Sequence, residues 1–188
     1  MALLGAAFLA WPNSGSVPEK DAHTSGPPLG HTGGFGEPTC QACHMDAALN
    51  HPDATLAVEG FPARYDSGAT YRITASVAGT GQGRGGFQAA IRFADGPRRG
   101  LQAGHLGATD SRVEVRSDTL TSVQYAFHSE LGSELVAAER GEWVLEWTAP
   151  RSEASAVLHV AANSANGDDS PFGDLVHALE RKSEGVTR

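Results

Sequence analysis

The segment Cys40-Gln41-Ala42-Cys43-His44 sets two thiols three positions apart, with a histidine directly after the second. That order is the attachment pattern of c-type haem. The thiols would form thioethers at one macrocycle edge, and the adjoining imidazole would turn under the iron as its proximal ligand. With two cysteines and eight histidines among 188 residues, the pattern arises by accident roughly once in two thousand sequences. Other uses of these residues stay open. A thioredoxin-type redox dithiol sits in a βαβ unit, and no such alternation surrounds this one. A zinc site needs two further ligands, and no second Cys-x-x-Cys completes one. A disulfide here would close only a small loop and contribute little.

The iron's sixth position is narrowed by counting methionines: Met1 lies in the apolar start and Met45 directly follows the proximal histidine. Histidine–methionine ligation is therefore disfavoured, which leaves a second histidine, an open site or a rarer ligand. His128 is the first candidate. It ends an expected strand, Ser122 to His128, in which Val123, Tyr125 and Phe127 are expected to face the core. His128 would then lie on the other face with Ser122, Gln124 and Ala126, where a haem laid down by the N-terminal arm would meet it. A plain surface histidine at a strand end is the competing explanation. His31, in the arm, is the second candidate and His105 the third; His23, His51, His159 and His177 are expected to be solvated or packing residues.

The elements that must position these groups are strands. Tyr71, Ile73, Ala75 and Val77 alternate with Arg72, Thr74 and Ser76, the period of a half-buried strand. Further strands are expected over Phe87–Phe93, Val113–Arg116, Ser122–His128, Trp143–Trp147 and Ala156–Ala162, with Asp174–Arg181 read as a last strand rather than a helix. Trp143 and Trp147 share one face and are expected to pack. Gly79 to Gly86 reads as a flexible turn and, with no helix following, not as a phosphate loop. Val17 to Phe35 is rich in Gly and Pro and reads as an irregular arm that delivers the haem motif; Met45 to Asn50 is at most a helical turn. The expected fold is an all-β, immunoglobulin-like sandwich with an irregular N-terminal haem-binding arm. Residues 1–24 form a signal-like apolar segment and linker, residues 25–182 the haem-bearing domain, and residues 183–188 a tail.

A formal charge of −8 argues against nucleic acid and anionic membrane surfaces as partners and fits a redox partner with a basic docking surface. Met1 to Ala10 is almost wholly apolar but lacks a preceding Lys or Arg. It resembles the core of a secretory signal, and is otherwise a candidate for membrane association. Export agrees with the motif, because bacterial covalent haem attachment takes place outside the cytoplasmic membrane.

Gly26-Pro27-Pro28, the run Thr32 to His44, Pro62 with Tyr65, Gly68-Ala69-Thr70-Tyr71, Gly86-Phe87-Gln88, Trp143 with Trp147-Thr148-Ala149-Pro150, and Ala162 to Asp168 resemble the bacterial, haem-motif-bearing relatives of the Reeler (reelin-type) domain. The likeness runs from about Gly26 to Glu180. It implies an immunoglobulin-like sandwich on extracytoplasmic proteins, often with a membrane or cell-surface anchor. It also implies a histidine after an aromatic strand, commonly as His-Thr, a place taken here by His128-Ser129. Departures are Ser129 for threonine, no proline before the glycine near Gly68, and Val176-His177 where an aromatic–threonine pair is usual.

The expectation is an exported monohaem c-type cytochrome, ligated by His44 and His128, that passes single electrons and is not an enzyme. It is extracytoplasmic, in the periplasm or at the cell surface. The alternatives are a haem-based sensor with an open or displaceable sixth position, and a Reeler-like surface recognition module whose cysteines carry nothing.

Overall fold

The computed structural model describes His23 and residues 25–186. The signal-like segment expected over residues 1–24 lies, apart from His23, outside the described residues. Ten strands follow in order: β1 Ala54–Glu59, β2 Arg64–Asp66, β3 Thr70–Gly79, β4 Arg84–Phe93, β5 His105–Ala108, β6 Val113–Ser117, β7 Gln124–His128, β8 Arg140–Thr148, β9 Ala156–Ala165 and β10 Leu175–Val186. They form a four-stranded sheet, β1-β3-β8-β5, and a six-stranded sheet, β2-β10-β9-β4-β7-β6. Every pairing is antiparallel except β2 with β10. The fold is the expected β-sandwich.

The two sheets bury a core through the alternation of their strands. Ile73, Ala75 and Val77 of β3, with Trp143, Leu145 and Trp147 of β8, meet Phe87, Ile91 and Phe93 of β4 and Leu158 and Val160 of β9. Phe87 stacks on Trp143 with ring centroids 4.6 Å apart, and Trp147 sits among Phe61, Tyr65 and Tyr71. Each indole N–H finds a carbonyl, Gly132 O for Trp143 and Ala103 O for Trp147, both at 2.8 Å, as buried donors require. The tryptophans are packing residues, as expected.

Strand β8 alternates between buried and more exposed residues, whereas β4 and β9 are buried almost throughout. Continuous burial means that both faces of a strand are covered. The second cover is the N-terminal arm, which crosses the outer face of the six-stranded sheet. Gly26 lies against the Phe127 ring on β7 and Gly34 against the His159 ring on β9, where a β-carbon would fall 2.4 Å from His159 Cγ. Only glycine permits that approach.

Several expectations need correction. Val123, Tyr125 and Phe127 do not face the sandwich core. They form a second cluster with Ala90 and Leu29 beneath the arm, while Ala126 faces the main core. The alternation of β7 had the right period, but a sheet covered on both faces gives two apolar sides, and sequence alone does not say which is inner. The glycine turn ends at Gly83, and Arg84-Gly85-Gly86 already belongs to β4. Strand β10 runs to Val186 and pairs with β2 over Glu184–Val186, so residues 183–186 are sandwich rather than tail. Short strands β1, β2 and β5 were not expected. The turn of helix lies at Cys40–Ala42, not over Met45–Asn50.

Candidate functional site

The cysteine motif is shaped by a single 3₁₀ turn. Thr39 caps it, its hydroxyl accepting from the Gln41 N–H at 3.2 Å. Cys43 N–H donates to Cys40 O at 3.2 Å and His44 N–H to the same carbonyl at 3.1 Å. A 3₁₀ turn has three residues per revolution, so positions i and i+3 eclipse. Cys40 and Cys43 therefore project from one side of the turn. Both thiols are free, and burial pushes the Cys40 thiol up to about 12.

The arm that carries this turn is clasped to the sheet by a buried polar group. Glu37 accepts from Tyr125 Oη at 2.5 Å and from Thr32 Oγ1 at 2.5 Å, and forms an ion pair with the buried Arg92 of β4. Arg92 also donates to Tyr125 Oη at 3.0 Å and lies over the Phe35 ring, 5.2 Å from its centroid. Burial alone would raise the Glu37 pKa, but the hydrogen bonds from Thr32, Tyr125 and Arg92, with the Arg92 charge, hold it below the usual value. Gln88 completes the attachment, its side-chain amide donating to Pro28 O at 2.9 Å and its oxygen accepting from His31 N–H at 2.7 Å.

Between arm and sheet lies a cavity of about 430 Å³, a volume in the range of small-molecule and cofactor sites. Cys40, Cys43, His44 and His128 all line it, as do His31 and His23. The structure thus brings together the four principal residues expected from the sequence, although 84 positions separate His44 from His128. His105 is not among them: it lies on β5 of the other sheet, with its Nδ1 3.1 Å from the side-chain nitrogen of Gln124. His159 and His177 are buried packing residues.

His44 is held by groups sequence reasoning did not single out. Its Nδ1 lies 2.6 Å from Oδ2 of Asp174 and 3.3 Å from the side-chain nitrogen of Asn163. Asp174, only 1% exposed, also accepts from Asn163 Nδ2 and from the Asn166 N–H, each at 3.1 Å. Burial would raise its pKa, but these bonds outweigh that and hold the carboxyl below the ordinary aspartate value. With Nδ1 occupied, Nε2 of His44 is the nitrogen left for a ligand. No periodicity marks Asp174. Arg92 did carry a signal, since a lone charge inside an apolar strand demands a partner.

His128 ends β7 and is buried, and that burial lowers its pKa against the opposing hydrogen bonds to His23 and Phe87. Nδ1 lies 3.1 Å from Phe87 N and 3.3 Å from Phe87 O, so the backbone of this one residue can serve either tautomer. Nε2 lies 3.0 Å from the His23 carbonyl. With Nδ1–H donating to Phe87 O, the Nε2 lone pair becomes available and the His23 carbonyl must give way. His31 presents a different case: its Nδ1 lies 3.1 Å from Pro28 O and 3.2 Å from Leu29 O, which leaves Nε2 for a ligand.

The two imidazoles are linked across the sheet by Asn163 and Gly86. Asn163, which touches His44, pairs with Gly86 across β9 and β4, and Gly86 backs the His128 ring. A β-carbon at Gly86 would fall 3.0 Å from His128 Cε1. Gly85 and Gly86 line the cavity together with Phe87 and the prolines of the arm, and Arg84 lies at its wall. These residues fit haem c in donor set: two thiols on one side of a turn, two imidazoles and an arginine for a carboxylate. Among the described residues no group of three or more His, Cys, Asp or Glu could hold a bare metal ion. A porphyrin brings four iron ligands of its own and asks only two of the protein.

No family model matches the sequence, and no curated protein matches it. Solved structures similar in fold include the reeler domain of human F-spondin, at TM-score 0.46 and 18% identity over 73% of this chain and 93% of that one. The Reelin-N domain of F-spondin gives TM-score 0.49 and 18% identity over 78% and 96%. A cohesin module from a Clostridium perfringens family 33 glycoside hydrolase gives 0.49 and 12% over 72% and 98%. The likeness is one of fold alone.

Proposed function

We propose that the protein is an exported monohaem c-type cytochrome that carries single electrons. The observation that supports this best is the convergence of Cys40, Cys43, His44 and His128 on one cavity of about 430 Å³. Haem, when bound, supplies a one-electron iron couple. The chain supplies the rest. Cys40 and Cys43 would hold the macrocycle through thioethers, and His44 and His128 would each offer Nε2 to the iron. The arm and Phe87 would keep water from the site, and Arg84, whose Nη1 donates to Ser133 Oγ at 3.0 Å, would meet a propionate. His128 is favoured over His31 because β7 anchors it in the sheet and Phe87 can orient it. No substrate chemistry is assigned to the protein.

Exposed Met45 and Phe172 each follow a residue that lines the cavity, His44 and Pro171, and Gly173 N–H donates to Asp46 Oδ2 at 2.6 Å. An apolar spot in an acidic surface fits a redox partner with a basic docking face. An extracytoplasmic location agrees with covalent haem. Among the described residues no helix is long and apolar enough to cross a membrane.

The test is a pyridine haemochrome spectrum and intact mass of the protein exported alongside haem-maturation machinery. A covalent haem is expected, with a low-spin spectrum that turns high-spin in His128→Ala but not in His31→Ala. A mass of polypeptide alone would sink the cytochrome and leave a Reeler-like extracellular recognition module, which keeps this fold and needs no cavity. Carbon monoxide binding to the reduced native protein would instead favour the haem sensor.

A further inference from the structure

We propose that Asp174 is a positioning residue that makes His44 a strong axial donor and so biases the iron toward its oxidised form; this rests on the haem reading above. The contact is short and enclosed, with His44 Nδ1 2.6 Å from Oδ2 of a carboxylate that is 1% exposed. A histidine donating to a full carboxylate has its tautomer and ring orientation fixed and its ligand nitrogen made more basic. A backbone carbonyl in that place would do less, because it carries no net charge. Asp174 cannot turn away, since Asn163 Nδ2 and the Asn166 N–H both donate to it. The pair also joins the motif in the arm to the loop entering β10, so the geometry of the donor is set by the sheet.

The consequence is thermodynamic. A more basic donor, with a fixed negative charge behind it, stabilises the more highly charged ferric ion over the ferrous one. No proton need move and no co-reactant is required, because the inference concerns the position of a one-electron equilibrium. The carrier therefore works at a lower potential than its two histidines alone would give.

The test uses the haem-loaded full chain, after haemochrome and intact mass have established the cofactor; failure at that stage removes the cytochrome itself and is distinct from failure of this inference. In Asp174→Asn the preference for ferric iron should fall at least tenfold, a rise in midpoint potential of about 59 mV or more for one electron, at unchanged haem content. Asp174→Glu should restore part of the shift. Asp46→Asn removes a neighbouring charge that binds Gly173 rather than His44, and should change the preference less than twofold. A change below twofold in Asp174→Asn, or an equal rise in Asp46→Asn, overturns the proposal. Should Asp174→Asn fail to fold, Asn163→Ala loosens the same carboxylate and must give a smaller rise in the same direction; no rise there overturns it as well.

Discussion

The six-stranded sheet has two buried faces built on different chemistry. The inner face packs Phe87, Ile91, Phe93, Leu158 and Val160 against the tryptophans of the other sheet, whose indole N–H groups find carbonyl partners. The outer face is also covered, yet it carries Gln88, Arg92, Tyr125, His159 and Asn163, each tied to the arm or to its neighbours. Hydrocarbon burial is non-directional and holds a fold. Polar burial demands a partner for every group and fixes one geometry. The inner face therefore supports the sandwich, and the outer face specifies where the arm sets Cys40, Cys43 and His44.

The sharpest way to separate the two is to remove the thiols. Replacing Cys40 and Cys43 together with alanine should abolish covalent haem completely, read by intact mass, while the thermal melt of the haem-free sandwich stays close to that of the haem-free parent. A collapse of the haem-free fold would show that the outer face is structural after all. The converse experiment is Trp147→Ala. This fully buried ring, caged by Phe61, Tyr65 and Tyr71, should cost about 4–5 kcal/mol in denaturant unfolding. Whatever protein remains folded should still bear haem at the same stoichiometry.

The same division explains what was legible in the sequence. Period-two alternation located β3 and favoured a strand for β10, while apolar, strand-forming runs at short intervals located β4, β6, β7, β8 and β9. Strands β1, β2 and β5 escaped because they are short or lie at sheet edges, where pairing partners rather than local pattern make them strands. The motif at Cys40–His44 was legible because covalent chemistry fixes its spacing. His128 was placed at the right strand end for a partly wrong reason: the side of β7 read as core packs under the arm. Asp174 and Glu37 were invisible, since a single acid among 22 acquires meaning only through what the chain brings beside it.

The clasp between arm and sheet offers a third, smaller effect. Arg92→Met leaves the buried Glu37 without its cation, and removing one partner of such a pair costs about 3 kcal/mol. Because the clasp belongs to the outer face, the loss should appear first as faster hydrogen exchange in residues 26–39 and only later as global unfolding. Uniform loss across both sheets would contradict the comparison. Gly86→Ala is milder still. Its β-carbon would fall 3.0 Å from His128 Cε1, so overpacking of about 1 kcal/mol should displace that ring. The expected readout is a growing high-spin fraction in the visible spectrum, with both thioethers intact.

The smallest effect is one of pH, and its sign follows from Glu37. Its carboxyl titrates below 4.5, the ordinary glutamate value, when the arm is docked, so the docked state binds its proton less readily than the free arm does. Stability from the clasp is therefore fully present above that value and is lost as pH falls through the lower, docked pKa. Acidification should release the arm before it unfolds the sandwich, because among the described residues no Asp or Glu is buried in the inner face. Glu37→Gln should abolish this early acid step while lowering stability at neutral pH, as followed by hydrogen exchange in residues 26–39. An acid transition that survives in Glu37→Gln would place the responsible carboxylate elsewhere and remove the clasp from the account of how the arm is held.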